Sequence, residues 1–165
     1  MPIKLVMLDI DGVMTDGTKM YGEDHNVIAK NYCDRDFTAI KRMKDSGLRV
    51  CFLSGDRRIN EKMALHRKID FYYSRNKLSD LESILSRYNC SLLEAVYVGD
   101  DIFDVPVLRQ VGFSFCPSDA PLDVKASCSH VLKSHGGRSA VAELYDTLVQ
   151  TGLVTNSMLG VDDEK

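Results

Sequence analysis

Short apolar runs alternate along this chain with stretches of helical period. IKLVMLD (3–9), LRVCFLS (48–54), FYY (71–73), AVYVG (95–99), GFSFC (112–116) and HVLK (130–133) are brief and rich in β-branched or aromatic residues, and read as buried strands. Between them FTAIKRMKDSG, RRINEKMALHRK, KLSDLESILSRYN, DVPVLRQVG and RSAVAELYDTLVQTG read as helices, three of them closing on Gly47, Gly112 and Gly152 as C-caps. Leu78, Leu81, Ile84 and Leu85 recur at the spacing of a helix packed on a sheet. Strands and helices in this alternation predict a doubly wound α/β fold, a parallel sheet covered on both faces. One segment breaks the pattern. TKMYGEDHNVIAKNYC (18–33) has two β-rich halves around Gly22-Glu23-Asp24 and predicts a hairpin inserted after the first strand. The expected organisation is one domain over 1–152, with a hairpin flap at 18–32, followed by a partly disordered tail at 153–165.

With 165 residues and 44% hydrophobic content, the chain can bury a single core without disulfides or structural metals. Its net charge of −3 and lack of a basic run argue against nucleic-acid or anionic-membrane surfaces. No apolar run approaches the ~18 residues of a membrane span, and MPIKLV enters a strand without a signal-peptide pattern. Five scattered cysteines form no C-x-x-C pair and suit a reducing compartment. The expectation is a soluble cytoplasmic protein. The four histidines lack metal-ligand spacing and read as surface or loop residues.

Ligands of a doubly wound sheet sit outside the carboxyl ends of its strands. Asp9 and Asp11 close the first predicted strand, Ser54 and Gly55 the second, and Asp100 and Asp101 the AVYVG strand, with Asp104 shortly after; Lys77 opens the helix before that strand. A carboxylate at the mouth of a core costs several kcal/mol unless it is paired, hydrogen-bonded or bound to a metal. Phosphoryl transfer through an aspartyl intermediate suits the whole set. Oxygen ligands from Asp9, Asp100 and a backbone carbonyl fit Mg²⁺, with Asp11 counted in the metal set. Asp9 is the expected nucleophile and Asp11 the acid and base, while Ile10 between them points into the core. Lys77 balances the charge, and the Ser54 hydroxyl holds phosphoryl oxygens. Asp101 and Asp104 stand behind the metal ligands. Asp16 is expected to fix the turn into the hairpin.

Two other readings of DIDG fit less well. A calcium loop would need a ligand where Val13 stands and a helix before it. A receiver domain would carry its acceptor aspartate on a middle strand rather than in a D-x-D pair ending the first.

DIDGVMTDG, LSGD, the lysine of RNKL and VGDDIFD resemble, in order and spacing, the four motifs of the haloacid dehalogenase (HAD) superfamily. A hairpin in place of a cap domain is similar to the capless subfamily of 3-deoxy-D-manno-octulosonate (KDO) 8-phosphate phosphatases. CDRDFTAI and GGRSAVAEL resemble further stretches of that subfamily, so the likeness covers roughly residues 3–150. It implies a HAD-like Rossmannoid sheet and a Mg²⁺-dependent phosphatase acting on a small phosphorylated sugar acid. It also implies a homotetramer with the hairpins packed at its centre. Arg35, Asp36, Gly55, Asp56, Arg57 and Arg138 become the expected substrate-binding residues, with Gly136 and Gly137 placed to offer backbone amides to an anion.

The chain departs from the subfamily pattern in two places. Asp56, followed by Arg57 and Arg58, stands where octulosonate phosphatases carry an arginine, and Phe37 and Ala39 replace two glycines, which is expected to narrow the pocket. An acidic residue at 56 resembles the phosphatases of nine-carbon ulosonate (sialic acid or KDN) 9-phosphates. It also resembles the non-catalytic HAD domain attached to vertebrate CMP-sialate synthetases, an oligomerisation module. Those two alternatives stand beside the octulosonate reading, as does a phosphatase of another small phosphorylated metabolite.

Overall fold

The computed structural model describes residues 2–156. Six parallel strands form one sheet: β1 (Leu5–Leu8), β4 (Arg49–Ser54), β5 (Asp70–Tyr73), β6 (Ala95–Val98), β7 (Phe113–Cys116) and β8 (His130–Val131), in the order β5-β4-β1-β6-β7-β8. The chain starts in the middle, winds outward through β4 and β5, and returns to pair β6 with β1. That reversal leaves a crevice beyond the ends of β4, β1 and β6, where ligands of such sheets bind. Between β1 and β4, the antiparallel pair β2 (Met20–Tyr21) and β3 (Val27–Ala29) forms the expected hairpin, closed by the Gly22 N–H donating to Asn26 O at 2.9 Å. No cap domain is present among the described residues.

The pleat of β1 divides its side chains between two cores. Val6 and Leu8 face the layer of α1 (Asp34–Asp45), α2 (Arg58–His66) and α6 (Ala140–Gln150), packing with Ile40, Met43, Ala64, Leu144 and Leu148. Leu5 and Met7 face α3 (Lys77–Arg87), α4 (Val105–Leu108) and α5 (Leu122–Lys125), packing with Leu81, Ile84, Leu108 and Val124. All four of these β1 side chains are fully buried, which is why the strand reads as a continuous apolar run. Ile10 joins the first core, as expected. Phe37 and Ala39 are buried in that core too and do not line the cleft described below, so they do not narrow it.

Three other expectations change. The buried stripe of α3 is Lys77, Leu81, Ile84 and Leu85, a spacing of four, three and one; Leu78 falls on the outer face and is 43% exposed. DVPVLRQVG yields only the short α4, which Arg109 caps; Gly112 lies beyond its end without a left-handed backbone, and a Cβ there would meet the Leu93 carbonyl oxygen at 2.6 Å. The expected tail begins in ordered structure, since the Leu153 and Val154 N–H groups donate to Leu148 O and Val154 is buried. The rest of that tail, from 157 on, lies outside the described residues. No helix among the described residues is long and apolar enough to cross a membrane.

Candidate active site

Strand ends deliver the site. β1 runs into Asp9 and Asp11, β4 ends on Ser54, β6 runs into Asp100, and α3 starts at Lys77. A cleft of about 450 Å³ is lined by Asp9, Asp11, Ser54, Gly55, Asp56, Lys77, Asp101 and Asp104, together with Lys19, Arg75 and Phe103. A larger surface groove along α1, about 680 Å³, is lined by residues such as Phe37, Lys41, Lys44 and Arg67 and contains none of these.

Lys77 is the buried cation at the centre. The first turn of α3, capped by the Asn76 side chain accepting from Ser79 N–H, aims its ammonium inward. Nζ stands 2.9 Å from Asp9 Oδ2 and 2.5 Å from Asp104 Oδ1, and donates to the Tyr97 hydroxyl at 3.1 Å. Burial alone would lower its pKa, but Asp9 and Asp104 outweigh burial and hold the ammonium charged. Asp104 is fully engaged. Its Oδ1 also accepts from Tyr97 at 2.6 Å, while Oδ2 accepts from the N–H groups of Asp100 and Asp101 at 2.9 and 3.0 Å. Its bonds to the Asp100 and Asp101 amides shape the loop after β6. Asp101 is exposed and caps the turn of Ile102–Asp104 by accepting from Ile102 N–H, so its side chain serves the backbone.

The acids here outnumber the cations. Carboxylate oxygens of Asp9, Asp100 and Asp104 lie within 4.8 Å of one another. Burial, and then Asp104, push Asp9 well above the usual carboxylate range against the pull of Lys77. Burial, Asp104 and Asp101 push Asp100 up to about 7. Asp100 Oδ1 is buried with no hydrogen-bond partner among the described residues. Such an oxygen is costly unless a ligand takes it. The donor set, oxygens only with one of them unclaimed, fits a hard divalent cation such as Mg²⁺. Gly12 lets the loop pass this close: its φ is +88° and a Cβ would sit 1.8 Å from Asp100 Oδ2.

The Asp11 carboxylate is not in that acidic group. It is drawn toward the hairpin and α2 instead, with Oδ1 2.7 Å from Lys30 Nζ and Oδ2 accepting from Asn60 Nδ2 at 2.9 Å. Ser54 Oγ accepts from Asn60 Nδ2 and from Asp56 N–H, both at 3.2 Å, which leaves its proton free to donate into the cleft.

The expected substrate-binding residues divide. Gly55 and Asp56 line the cleft. Asp56 does not offer a free acid, because Oδ2 is paired with Lys30 at 2.9 Å and Lys19 at 3.0 Å; these lysines overcome burial and hold it below the usual carboxylate range. Arg57 is exposed, bonded to Glu61 at 2.9 Å, and does not line the cleft. Arg35 lies in surface grooves beside Ala142 and Asp146. Asp36 is fully buried and accepts from Ala142 N–H at 2.9 Å in the first turn of α6, where orphan helix amides need acceptors. Arg138 is exposed outside the cleft, with Asp16 as a charge partner. Gly136 N–H donates to Asp119 Oδ1 and Gly137 N–H to Val13 O, so those amides are already used. Gly136 is needed for close packing, since a Cβ would lie 1.8 Å from Gly12 O. Asp16 fixes its turn as expected, Oδ1 accepting from the N–H and hydroxyl of Thr18 at 2.9 and 2.6 Å.

Sequence reasoning passed over Lys30, Asn60 and Tyr97. Tyr97 read as core within AVYVG, although a buried tyrosine hydroxyl implies a polar partner. Asn60 sits four residues before Ala64, and these are the two buried residues of α2, a polar group on the inward stripe. Lys30 carried no signal, because nothing local distinguishes it from a solvated hairpin lysine.

A model of the haloacid dehalogenase-like hydrolases matches residues 71–144. The 3-deoxy-D-manno-octulosonate 8-phosphate phosphatase KdsC of Haemophilus influenzae is 34% identical over 154 residues, covering 90% of this chain and 83% of the relative. The cobalt-bound structure of the deoxy-D-mannose-octulosonate 8-phosphate phosphatase of Haemophilus influenzae superposes with a TM-score of 0.85 at 33% identity, covering 90% of this chain and 88% of that one. The 3-deoxy-D-manno-octulosonate 8-phosphate phosphatase structure from Yersinia pestis gives a TM-score of 0.85 at 31% identity, over 94% and 87% of the two chains. With an aspartate pair at the end of β1, a buried lysine and an acidic loop after β6 on a sheet without a cap domain, this chain belongs to the haloacid dehalogenase-like hydrolases and, within them, to the KdsC family of phosphatases, which are phosphoric monoester hydrolases.

Proposed function

We propose that this protein hydrolyses the phosphate ester of a 3-deoxy-2-keto sugar acid, of the KDO 8-phosphate type, through an aspartyl-phosphate on Asp9 with Mg²⁺ as cofactor. The observation that carries the chemistry is Asp9 held 2.9 Å from the buried Lys77 beside an unpartnered Asp100 oxygen. The substrate class rests on the likeness to KdsC phosphatases, and the need for a divalent metal is supported by the cobalt-bound relative.

Asp9, Asp100 and a main-chain carbonyl of the first loop would hold the ion, which supplies Lewis-acid charge neutralisation when bound. The Asp9 carboxylate attacks phosphorus as the bond to the sugar oxygen breaks, and the Asp11 carboxyl proton passes to that oxygen. Water then attacks the aspartyl-phosphate, losing its proton to Asp11, and inorganic phosphate leaves with Asp9 restored. Lys77 balances the charge of the carboxylates and phosphate, and the Ser54 hydroxyl holds the phosphoryl oxygens. The kept Asp9 and Asp100 weigh against a non-catalytic oligomerisation module.

Asp56 favours a second substrate. Its pairing with Lys19 and Lys30 puts an acid into a site where octulosonate phosphatases carry an arginine, as in phosphatases of nonulosonate 9-phosphates. Comparing kcat/KM for octulosonate 8-phosphate, nonulosonate 9-phosphates and simple sugar phosphates tests both. The highest value is expected for octulosonate 8-phosphate; a nine-carbon preference would select the second reading, and a preference for a non-ulosonate phosphate would remove both while leaving the chemistry. The homotetramer is part of the same reading, supported by Met20, Tyr21 and Ile28 of the hairpin, 61%, 57% and 59% exposed. Light scattering should give four times the chain mass, and a monomer would refute it.

A further inference from the structure

The hairpin enters the active site through Lys30. Its strand neighbours Ile28 and Ala29 are exposed, yet the Lys30 side chain is only 1% exposed. Nζ lies 2.7 Å from Asp11 Oδ1 and 2.9 Å from Asp56 Oδ2, and donates to Asn60 Oδ1 at 2.9 Å. Asn60 Oδ1 also accepts from the Tyr32 hydroxyl at 3.3 Å, while Nδ2 donates to Asp11 Oδ2 and Ser54 Oγ. The two oxygens of Asp11 are thus held by two groups from outside the sheet, an ammonium from the hairpin and a buried amide from α2.

Burying an ammonium costs several kcal/mol in desolvation, which good geometry to its partners must offset. Two acceptors, Asp56 Oδ2 and Asn60 Oδ1, together with the close negative charge of Asp11, meet that requirement. An amide whose oxygen is already engaged by Lys30 and Tyr32 has its Nδ2 direction fixed, and so fixes the carboxylate that Nδ2 meets. A carboxyl group that moves a proton needs this kind of orientation, because misplacement by about 1 Å is enough to cost roughly a hundredfold in rate.

We propose that Lys30 and Asn60 are positioning residues that together orient the Asp11 carboxyl group for proton transfer to the leaving alcohol, coupling the seating of the hairpin to catalysis. This rests on the reading of Asp11 as the acid and base. In the step concerned, the bond between phosphorus and the ester oxygen breaks, the phosphoryl group passes to Asp9, and the proton on Asp11 goes to the ester oxygen. The requirement for that proton depends on the leaving group. An alkoxide from a sugar acid needs it, whereas p-nitrophenolate departs without it.

The test compares kcat on a phosphorylated ulosonate with kcat on p-nitrophenyl phosphate, in Mg²⁺, for Lys30→Met, Asn60→Leu and Asp11→Asn. On the sugar ester Lys30→Met and Asn60→Leu are expected to lose about ten- to a hundredfold, with a loss roughly tenfold smaller on p-nitrophenyl phosphate. Lys30→Arg, which keeps the charge, should recover part of the loss on the sugar ester. A residue that only braces the fold would lower both substrates alike. Asp11→Asn should show the same split. If it does and neither Lys30→Met nor Asn60→Leu does, the positioning role is overturned while the acid–base reading stands. If Asp11→Asn itself loses both substrates equally, that reading fails and takes the proposal with it. Should Lys30→Met not fold, Asn60→Leu decides the question alone.

Discussion

The Asp104 carboxylate lies 2.5 Å from the Lys77 ammonium, and the contact joins the acidic loop after β6 to the start of α3. Both groups are buried, and Tyr97 bonds to each of them. Removing one partner of a buried pair leaves an uncompensated charge. Asp104→Ala would leave Lys77 with Asp9 as its one acidic partner and would take the acceptor from the Tyr97 hydroxyl and from the N–H groups of Asp100 and Asp101 at once. It is expected to lower the unfolding free energy by about 3–5 kcal/mol, read from urea denaturation. A loss under about 1 kcal/mol would mean that the network is not what holds the loop.

Asp36 separates fold from function. Resemblance placed it among substrate-binding residues, whereas it is buried at the start of α6 and accepts from Ala142 N–H. Asp36→Ala should therefore cost about 1–3 kcal/mol of stability, the value of a buried amide left without its acceptor. KM for the sugar phosphate should stay as in the unchanged protein at a temperature where both are folded. A large rise in KM with intact stability would return Asp36 to the binding site.

Lys4 and Glu94 tie the start of β1 to the turn before β6, Nζ standing 2.8 Å from Glu94 Oε1. The bond from Lys4, with those from the Ser91 N–H and hydroxyl, brings the Glu94 pKa down to about 2. A folded-state pKa below the unfolded value contributes stability that is present above the unfolded value and lost as pH falls through the folded one. The contribution of Glu94 is therefore complete above about pH 4.5 and disappears toward about pH 2. Glu94→Gln should flatten the acid limb of a stability-against-pH curve in that window. An unchanged slope would show that Glu94 does not carry it.

Much of this was legible in the amino-acid order. The apolar run of β1 had to be central because both its faces are apolar, and the carboxyl-end residues had to converge once the sheet was parallel. Asp9, Ser54, Lys77 and Asp100 therefore come together as their spacing predicts. What the order did not show is side-chain direction. Arg35, Asp36, Arg57 and Arg138 lie within motif-like stretches, yet each points to a helix end, a neighbouring acid or solvent. Lys30 went unnoticed for the opposite reason, since its partners Asp11, Asp56 and Asn60 lie 19, 26 and 30 residues away in sequence. No local pattern encodes such a contact.

Asp9 is the residue on which the account depends. The decisive measurement is phosphate release from a phosphorylated 3-deoxy-2-keto sugar acid, in Mg²⁺, by Asp9→Asn protein whose circular dichroism matches that of the unchanged chain. Loss of about a thousandfold or more in kcat is predicted, as for removal of a covalent nucleophile. Turnover within about tenfold of the unchanged protein, a barrier difference of only about 1.4 kcal/mol, would contradict the aspartyl-phosphate mechanism.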